Sequence, residues 1–390
     1  MLNITHSGGF RIRATRALIH TSRLLNNLEV LRNHVGLGNK LCAAVKADAY
    51  GHGAVLIARR LKEAGVSHLG VATVEEGLEL RRAGITGAIL LYGALQDDEW
   101  ADAVGCDLQP LVSSRSHVEL LAEAGRQAGK VVPVHLKIDT GMGRLGCPPE
   151  VAGELAHSIV HNLHLEFEGL CTHFASSEAP GPISVARQLE RFGVVLDELD
   201  SRGFEARYVH AANSGALLGQ PDYRAHATRF NLARPGISLY GYPPDRDQPI
   251  AGLRPVLELV SRVAHLKTVG AGTALSYGSR YITREKSDVA TVPIGYADGY
   301  RRSFTNLASL LVGGRLYHVS GTVCMDQLLV DVGPDSGLSV GDEVVLLGEA
   351  RPGEPSPPDA DDLAALAGTI SYEILCGLAR RVPRVEVPVQ

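Results

Sequence analysis

The chain has 390 residues, a length that suggests two or three domains. Its 38 Lys+Arg residues against 43 Asp+Glu give a formal net charge of -5, so we expect no general basic surface for nucleic acid. A hydrophobic content of 45% with 21% charged residues is ordinary for a globular protein and argues against extended disorder.

Two further classes of protein do not fit the sequence. No stretch approaches the ~18 consecutive apolar residues that a membrane helix requires, and residues 1–16 lack the apolar segment of a secretory signal. The six cysteines are scattered and include no C-x-x-C pair, a pattern typical of reduced thiols and not of a disulfide framework or zinc site. We therefore expect a soluble, cytoplasmic enzyme with no metal, membrane or nucleic-acid partner.

The predicted elements begin with a strand at 15–19 and a helix at 22–34, capped by Thr21 or Ser22. From about residue 40 to 240, short apolar runs alternate with segments whose apolar residues recur every three or four positions. The helical spacing is clear at 55–64, 117–128 and 185–199. The predicted strands of this region are 41–45, 68–72, 88–92, 108–112, 131–138, 165–173, 206–210 and 232–240.

This alternation favours an α/β fold with a parallel (β/α)8 barrel of the TIM type, although an open doubly wound sheet stays possible because sequence cannot show closure. The strand at 15–19 exceeds the eightfold count, and we expect it to pair with the C-terminal half. After about residue 252, short β-rich runs separated by Gly, Asp and Pro predict a mainly β domain. We expect a barrel at 14–252 and a β domain at 253–390 that also includes residues 1–20.

Polar residues collect at the ends of the predicted barrel strands, where barrels build their active sites. The positions that stand out are Lys46, Lys137, His173, His210 and Arg234. A single lysine at the end of a strand can be a solvated or paired charge. Several polar residues at the same end of the barrel instead favour an active site.

Lysine forms Schiff bases, and burial near other cations lowers the pKa of a lysine amine. Ser214 and Gly236 lie with the last two predicted strands, where barrels commonly bind phosphate through backbone N–H groups and a hydroxyl. A Schiff-base lysine on the same face as a phosphate site indicates pyridoxal phosphate as the cofactor.

The sequence also resembles a known family. The segment AVKADAYGHG (44–53) resembles the lysine motif of alanine racemases, which are pyridoxal-phosphate enzymes. Further segments resemble that family in the expected order: LKIDTGMGRLG (136–146), THF (172–174), HAANSGA (210–216), RPGISLYG (234–241), SYGSRY (276–281), IGYADGY (294–300), GTVCMDQ (321–327) and SYEILC (371–376). The resemblance implies a (β/α)8 barrel followed by a β domain and a homodimer with shared active sites. It also implies that the enzyme interconverts L-alanine and D-alanine and so provides D-alanine for peptidoglycan.

The resemblance implies two catalytic bases acting on the external aldimine of alanine with the cofactor. Lys46 would hold pyridoxal phosphate and act as one base, and Tyr277, reaching from the β domain of the other subunit, would be the second. Two bases are needed because racemisation removes a proton from one face of Cα and returns one to the other. A hydrogen-bonded chain resembling Tyr277–His173–Arg234 would help the tyrosine exchange its proton.

The resemblance also implies how the cofactor is bound. Arg234 would face the pyridine nitrogen and donate a hydrogen bond without giving up a proton, because arginine stays protonated. The ring would then be a weaker electron sink than one paired with a carboxylate. The positions that match phosphate-binding residues are Tyr50, Ser214, Gly236, Ile237 and Tyr372.

On the substrate side, Arg144 matches an arginine that contacts the carboxylate of alanine and the phenolic oxygen of the cofactor. Met325 would bind the same carboxylate through its backbone, and Asp326 and Tyr296 would line the substrate approach. Lys137 matches a lysine that is often carbamylated in the family, and the resulting anion would orient Arg144.

Other interpretations stay open at this point. A non-catalytic pyridoxal-phosphate carrier would not need the β domain or Tyr277. A decarboxylase of similar plan would carry a cysteine-centred C-terminal motif and a glycine-rich phosphate loop, and we find neither. A racemase for serine or a broader set of small amino acids is harder to distinguish from an alanine racemase. A pocket that excludes a slightly larger side chain discriminates between substrates by only ~1–3 kcal/mol.

Two patterns invite other predictions and are set aside. The segment 141–146 satisfies G-x-G-x-x-G, but Pro148 and Pro149 delay the helix that a dinucleotide site would need immediately afterwards. His157 and His161 have helical spacing, yet solvated histidines are a better interpretation than a metal site without a further ligand.

Overall fold

The computed structural model describes residues 13–36, 38–178 and 184–388. It divides into two compact units, which we call the barrel unit and the β unit. The barrel unit comprises Leu25–Ala49 and Ala54–Leu253, and the β unit comprises the described parts of Met1–Leu24, Tyr50–Gly53 and Arg254–Gln390. The predicted membership of residues 1–12 and 389–390 in the β domain concerns positions outside the described residues.

The barrel unit is built on parallel strands that alternate with helices. Its strands are β2 (Lys40–Ala44), β3 (His68–Val71), β4 (Ala88–Leu91), β5 (Gln109–Val112), β6 (Val132–Lys137), β7 (Leu165–Cys171), β8 (Tyr208–His210) and β9 (Leu232–Ala233). The helices associated with these strands are α1 (Thr21–Val35), α2 (Lys46–Gly51), α3 (Ala54–Glu63), α4 (Val74–Arg82), α5 (Glu99–Gly105), α6 (Arg115–Ala128), α7 (Ala152–Val160), α8 (Val185–Ser201), α9 (Ser214–Gly219) and α10 (Pro221–Ala225).

The sheet runs in the order β8-β7-β6-β5-β4-β3-β2-β9 and is nearly closed. Between β8 and β9, the backbone N–H of Asn231 donates to the Val209 carbonyl (3.2 Å) and that of Arg234 donates to the Ala212 carbonyl (2.8 Å). The predicted TIM-type barrel is therefore confirmed. Amphipathic helices cover it, as in α6, whose buried face includes Val118, Leu121 and Ala122.

The last barrel strand is much shorter than the predicted run at 232–240. Pro235 lacks the N–H that would continue a ladder, and Gly236 leaves the extended region with φ -121° and ψ -94°. The chain then forms a 3₁₀ turn at Ile237–Tyr240, which is fully buried. Apolar composition alone could not distinguish this buried turn from a buried strand.

The β unit contains three sheets within the described ranges. Its strands are β1 (Arg16–His20), β10 (Leu257–Arg262), β11 (His265–Val269), β12 (Ala274–Leu275), β13 (Tyr281–Ile282), β14 (Ser287–Val292), β15 (Ser309–Val312), β16 (Arg315–His318), β17 (Leu328–Gly333), β18 (Glu343–Leu347) and β19 (Arg384–Val387), and its helices are α11 (Ala360–Ala367) and α12 (Ser371–Cys376). The largest sheet has the order β16-β15-β18-β10-β1-β19. Strand β1 lies inside it, antiparallel to β10 and parallel to β19.

Candidate functional site

Lys46 stands at the beginning of an unusual turn directly after barrel strand β2. The four residues Ala47–Tyr50 of α2 all have φ of +53°, so this turn is left-handed. Left-handed helical backbone costs roughly 1–2 kcal/mol per residue for L-amino acids. A run of four such residues persists only where surrounding contacts fix it. No local sequence pattern predicts this run, apart from the glycines at 51 and 53.

Glu76 supplies the main polar contacts that fix the start of this turn. One carboxylate oxygen accepts from the backbone N–H of Ala47 and the other from that of Ala72, both at 2.7 Å. Asp48 accepts from the N–H of Ala54 at 2.8 Å and thereby ties the turn to the next helix. The residue after Lys46 is therefore held by a carboxylate on helix α4, a role that we did not predict.

The turn ends at a glycine that nothing else could replace. Gly51 has φ of +80°, and a Cβ there would lie 2.1 Å from the carbonyl oxygen of Leu375. Its own carbonyl accepts from Nε of Arg384 at 2.9 Å. Tyr50, one residue earlier, has its ring 5.9 Å from that of Tyr372. Two residues that match phosphate-binding positions are thus neighbours in the β unit.

Arg234 is the central cation of the barrel site and is only 8% exposed. Its Nη1 donates to Nδ1 of His210, and its Nη2 donates to Nδ1 of His173 (3.2 Å) and to the carbonyls of Thr172 (2.7 Å) and Ala211 (3.1 Å). None of these acceptors is a carboxylate, and none of these bonds uses Nε. The guanidinium is thus fixed by imidazoles and carbonyl oxygens and keeps a donor for another acceptor.

His173 is kept neutral by its surroundings. Burial lowers its pKa well below the ordinary value, and the positive charges of Arg234, Lys137, Arg144 and Lys46 lower it further. Because Arg234 donates to Nδ1, the proton of the neutral ring must be on Nε2. The ring therefore offers an N–H donor on the side away from Arg234.

Lys137 is buried at the end of β6. Desolvation and the nearby cations Arg234 and Arg144 lower the pKa of its amine to about 8, although the Cys171 thiol acts in the opposite sense. An appreciable fraction of the amine is therefore uncharged near neutral pH. Such an amine is a nucleophile, which a protonated lysine is not.

The loop that carries Arg144 is organised by a single aspartate. Oδ1 of Asp139 accepts from the backbone N–H groups of Gly141 (2.9 Å), Met142 (2.9 Å) and Gly143 (3.1 Å). A 3₁₀ turn at Pro149–Val151, and not the motif itself, precedes the next helix. The glycines of this segment thus lie in a tight loop held by Asp139.

Ser214 and Gly236, two positions predicted to bind phosphate, are hydrogen-bonded to each other. The Ser214 hydroxyl accepts from the N–H of Gly236 (3.0 Å) and lies 3.4 Å from that of Ser238. Asn213 caps α9 by accepting from the N–H of Ala216 at 3.0 Å. Backbone donors, a hydroxyl, a lysine amine and the Nε–H of Arg234 make a donor set that fits pyridoxal phosphate.

A second group of candidate residues surrounds a cavity of about 600 Å³ in the β unit. Tyr277, Tyr296, Met325 and Asp326 all line it. The backbone of Tyr277 is fixed because Thr322 donates its hydroxyl to the Tyr277 carbonyl (2.7 Å). Its side chain is nevertheless 74% exposed, and Met325 and Tyr296 are 51% and 43% exposed.

Arg381, which we did not predict as a site residue, contacts two of the residues that line this cavity. Arg381 donates to Oδ1 of Asp298 (2.7 Å), to Oδ1 of Asp326 (2.8 Å) and to the Met325 carbonyl (3.4 Å). Asp298 is fully buried and also accepts from the N–H of Gly295 (3.0 Å). The loop at 325–326 is thereby tied to the interior of the β unit.

The candidate residues therefore fall into two sets. Those of the barrel unit are Lys46, Lys137, Arg144, His173, Ser214, Arg234, Gly236 and Ile237, and those of the β unit are Tyr50, Tyr277, Tyr296, Met325, Asp326 and Tyr372. Within the described ranges, no helix combines the length and apolar character needed to cross a bilayer. Among the same residues, no three His, Cys, Asp or Glu side chains gather where a metal ion could bind.

Comparison with known proteins covers almost the whole chain. The family model for the alanine racemase N-terminal domain matches residues 19–244, and that for the alanine racemase C-terminal domain matches residues 256–386. The alanine racemases of Treponema denticola and Geobacter sulfurreducens are 38% and 41% identical, each over 96% of this chain and over 98% and 97% of their own lengths. The alanine racemase structure from Streptomyces lavendulae has a TM-score of 0.88 at 37% identity and covers 98% of this chain and 99% of its own.

These matches, the barrel with its β unit and the lysine at a strand end together define a pyridoxal-phosphate-dependent racemase. More particularly, the chain belongs to the alanine racemase family. Alanine is the substrate that this family name implies.

Proposed function

We propose that the protein interconverts L-alanine and D-alanine by a two-base mechanism with pyridoxal phosphate, and that it supplies D-alanine for peptidoglycan. The observation that carries the mechanism is the setting of Arg234, a buried cation bonded to two neutral imidazoles with Nε left for a further acceptor. The role in peptidoglycan synthesis rests on the family alone.

Bound pyridoxal phosphate would supply an electron-withdrawing ring that makes the Cα proton of alanine acidic. Lys46 would hold the group through Nζ, and Nε of Arg234 would donate to its ring nitrogen. Residues that would bind the phosphate are Tyr50, Ser214, Gly236, Ile237 and Tyr372. The left-handed turn after Lys46 fixes the backbone from which the lysine reaches the site.

The two bases act on opposite faces of Cα. Nζ of Lys46 takes or returns the proton on one face, and the phenolic oxygen of the partner subunit's Tyr277 does so on the other. The Nε2–H of His173 would donate to that oxygen and stabilise it when it has lost its proton. This donor is available because Arg234 occupies Nδ1 and because burial keeps the ring neutral.

Binding of the substrate carboxylate is assigned to Arg144 and to the backbone of Met325, with Asp326 and Tyr296 lining the approach. We propose that Lys137 is carbamylated: neutral Nζ attacks the carbon of CO2, and the nitrogen loses one proton, leaving an anionic carbamate. The lowered pKa of the amine favours this addition, and the neighbouring Arg144 and Arg234 would stabilise the anion.

A homodimer is part of the proposal. Tyr277, Tyr296 and Met325 are exposed around a cavity in the β unit, where catalytic residues would need a second surface to exclude water. In a two-fold dimer, each β unit would complete the barrel site of the other chain.

Co-expression of two inactive variants tests the shared site. Lys46→Ala and Tyr277→Phe subunits carry different tags, and tandem purification isolates the mixed dimer. One of its two sites would then contain both bases, so we expect about half of the wild-type racemisation rate per dimer. The control dimer pairs Lys46→Ala with the double variant Lys46→Ala/Tyr277→Phe and should stay inactive. An inactive mixed dimer would contradict the shared site.

A further inference from the structure

A chain of buried polar side chains extends from Arg234 into the core of the barrel. Nδ1 of His210 accepts from Arg234, and Nε2 of His210 lies 2.8 Å from Nδ1 of His135. Nε2 of His135 in turn lies 3.3 Å from Oε1 of Gln109. Both histidines are fully buried, and Gln109 is nearly so. The chain thus crosses the interior on strands β8, β6 and β5.

The direction of every hydrogen bond in this chain follows from its first member. Arginine has donors only, so His210 must accept at Nδ1 and carry its proton on Nε2. That proton is donated to Nδ1 of His135, which must then carry its own proton on Nε2. Gln109 ends the chain by accepting with its carbonyl oxygen. If either histidine moved its proton to the other nitrogen, two donors would face each other at some point of the chain.

The barrel makes space for this arrangement. Gly169 pairs with His135 across β6 and β7, and a Cβ at position 169 would lie 1.8 Å from Nδ1 of His135. No side chain larger than hydrogen can therefore stand there while the ring keeps its place. The backbone of β7 is adapted to His135, which indicates that the position of this ring matters.

We propose that His135 and Gln109 are positioning residues for the racemase reaction, which fix the tautomer of His210 and through it the orientation of the Arg234 guanidinium. This inference rests on the proposed function, in which Nε of Arg234 serves the cofactor. In this arrangement, each residue donates a hydrogen bond to the next, in the order Arg234, His210, His135 and Gln109. We call these four residues the barrel relay.

The relay requires both imidazoles to be neutral. Burial lowers the pKa of His210 well below its ordinary value and that of His135 to about 3. The charged or titratable groups that act on the two rings are Arg234, Lys137 and His68, and each of them opposes a positive imidazole. The relay should therefore keep its direction across the working pH range.

Histidine NMR on the wild-type holoenzyme tests the direction without any mutation. Protein labelled with ¹⁵N-histidine should show one pair of rings coupled through a nitrogen–nitrogen hydrogen bond, with both Nε2 atoms protonated and both Nδ1 atoms bare. Doubly protonated rings at pH 7, or a proton on Nδ1 of His210, would overturn the proposal.

Variants at the far end of the relay test its effect on catalysis. Gln109→Leu removes the last acceptor, and Gly169→Ala displaces the His135 ring without removing a polar group. Because small displacements of catalytic groups can cost up to ~100-fold, we expect kcat to fall roughly 10-fold in each variant with KM little changed. The matched control is Ile89→Val, a buried apolar change in β4, which should leave kcat unchanged.

Gln109→Glu supplies a readout that simple loosening of the barrel would not produce. The carboxylate still accepts from Nε2 of His135, but its negative charge stabilises the protonated form of that ring. Protonated His135 would then donate from Nδ1 to Nε2 of His210. The proton of His210 would have to move to Nδ1, where it would face the Arg234 donor. We expect kcat to acquire a new dependence on pH, with activity lost as the pH falls and His135 becomes protonated. The same samples should show weaker binding of pyridoxal phosphate at low pH.

Wild-type kcat in Gln109→Leu and Gly169→Ala, whether or not the imidazole signals change, would show that the relay does not position Arg234. Racemisation of alanine by the wild-type protein is measured in parallel. Its absence would refute the proposed function, while the NMR result would still decide the direction of the relay.

Discussion

The two sets of candidate residues differ in how their side chains are held. In the barrel unit, Arg234 and Lys137 are each 8% exposed, and hydrogen bonds from Arg234 connect His210 at the end of β8 with His173, which follows β7. In the β unit, Tyr277 is 74% exposed, and its backbone carbonyl accepts from the hydroxyl of Thr322. Arg234 and Lys137 are therefore organised within one chain, whereas Tyr277 presents its side chain at the surface of the β unit.

This difference separates two tasks of a racemase site. Holding a cofactor requires buried, fixed donors, because a misplaced donor loses most of its electrostatic effect. In the proposed dimer, Tyr277 would supply a base to the neighbouring chain and would become buried only on assembly. Substitutions of Lys46 and Tyr277 test whether cofactor anchoring and the second proton transfer depend on residues of different units.

The largest effect is expected from Lys46→Ala. Loss of the anchoring amine and of one base should lower racemisation by at least ~1000-fold, because general acid–base groups alone contribute 10²–10⁴. Chiral chromatography measures the rate, and peptide mass spectrometry after borohydride reduction locates the bound cofactor. Lys286→Ala, at an exposed position of the β unit, is the control. Cofactor found on another lysine would show that the barrel set has been assigned wrongly.

Tyr277→Phe should separate the two tasks. We expect unchanged cofactor binding and a loss of roughly 10²–10⁴ in racemisation in both directions, since the two enantiomers have equal free energy. In deuterated water, one enantiomer should still exchange its Cα hydrogen through Lys46, while the other should not. The control is Tyr281→Phe, which removes a hydroxyl that donates to Asp331 (2.9 Å). Equal exchange from both enantiomers would contradict the two-base mechanism.

A smaller effect, on stability, is expected at the left-handed turn after Lys46. Glu76→Ala removes the acceptor for the N–H groups of Ala47 and Ala72 and should lower the free energy of unfolding by about 1–3 kcal/mol. Urea unfolding measures the change. Glu79→Ala, on the exposed side of the same helix, should have little effect. If both variants were equally stable, the left-handed turn would have to be fixed by other contacts.

The most gradual effect concerns the pH dependence of stability through Lys137, because it is spread over the alkaline pH range. Its pKa in the folded protein is about 8, below the ordinary 10.5, so the unfolded chain binds more protons between these values. Stability should therefore rise with pH from about 8 to 10.5, by at most about 1.4 kcal/mol per pH unit. Lys137→Met should lose this slope in CO2-free buffer.

Added ¹³CO2 gives the second readout for the same residue. A carbamate signal should appear in the NMR spectrum of the wild-type protein and be absent from Lys137→Met. A signal that persists in the variant would place the carbamate on another amine.

The barrel could be predicted from the sequence because the same strand–helix pattern is repeated along the chain. Each strand is a short apolar run followed by a helix of regular spacing, so an error of one or two residues, as at 131–138, does not change the count. The run at 232–240 was predicted as a strand and is mostly a buried turn, because apolar composition reports burial and not backbone conformation. The candidate residues were found through motifs, and their catalytic roles stay predictions.

The sequence by itself determined the family, the alternation of strands and helices, and the positions of the lysine, arginine and tyrosine that carry the proposed chemistry. These are properties of local pattern and of residue identity. Only the tertiary structure decided the left-handed turn after Lys46, the acceptors of Arg234 and the barrel relay. Each of these joins residues from different strands or helices, such as His210 and Gln109, and no local pattern records which side chains will meet inside a closed barrel.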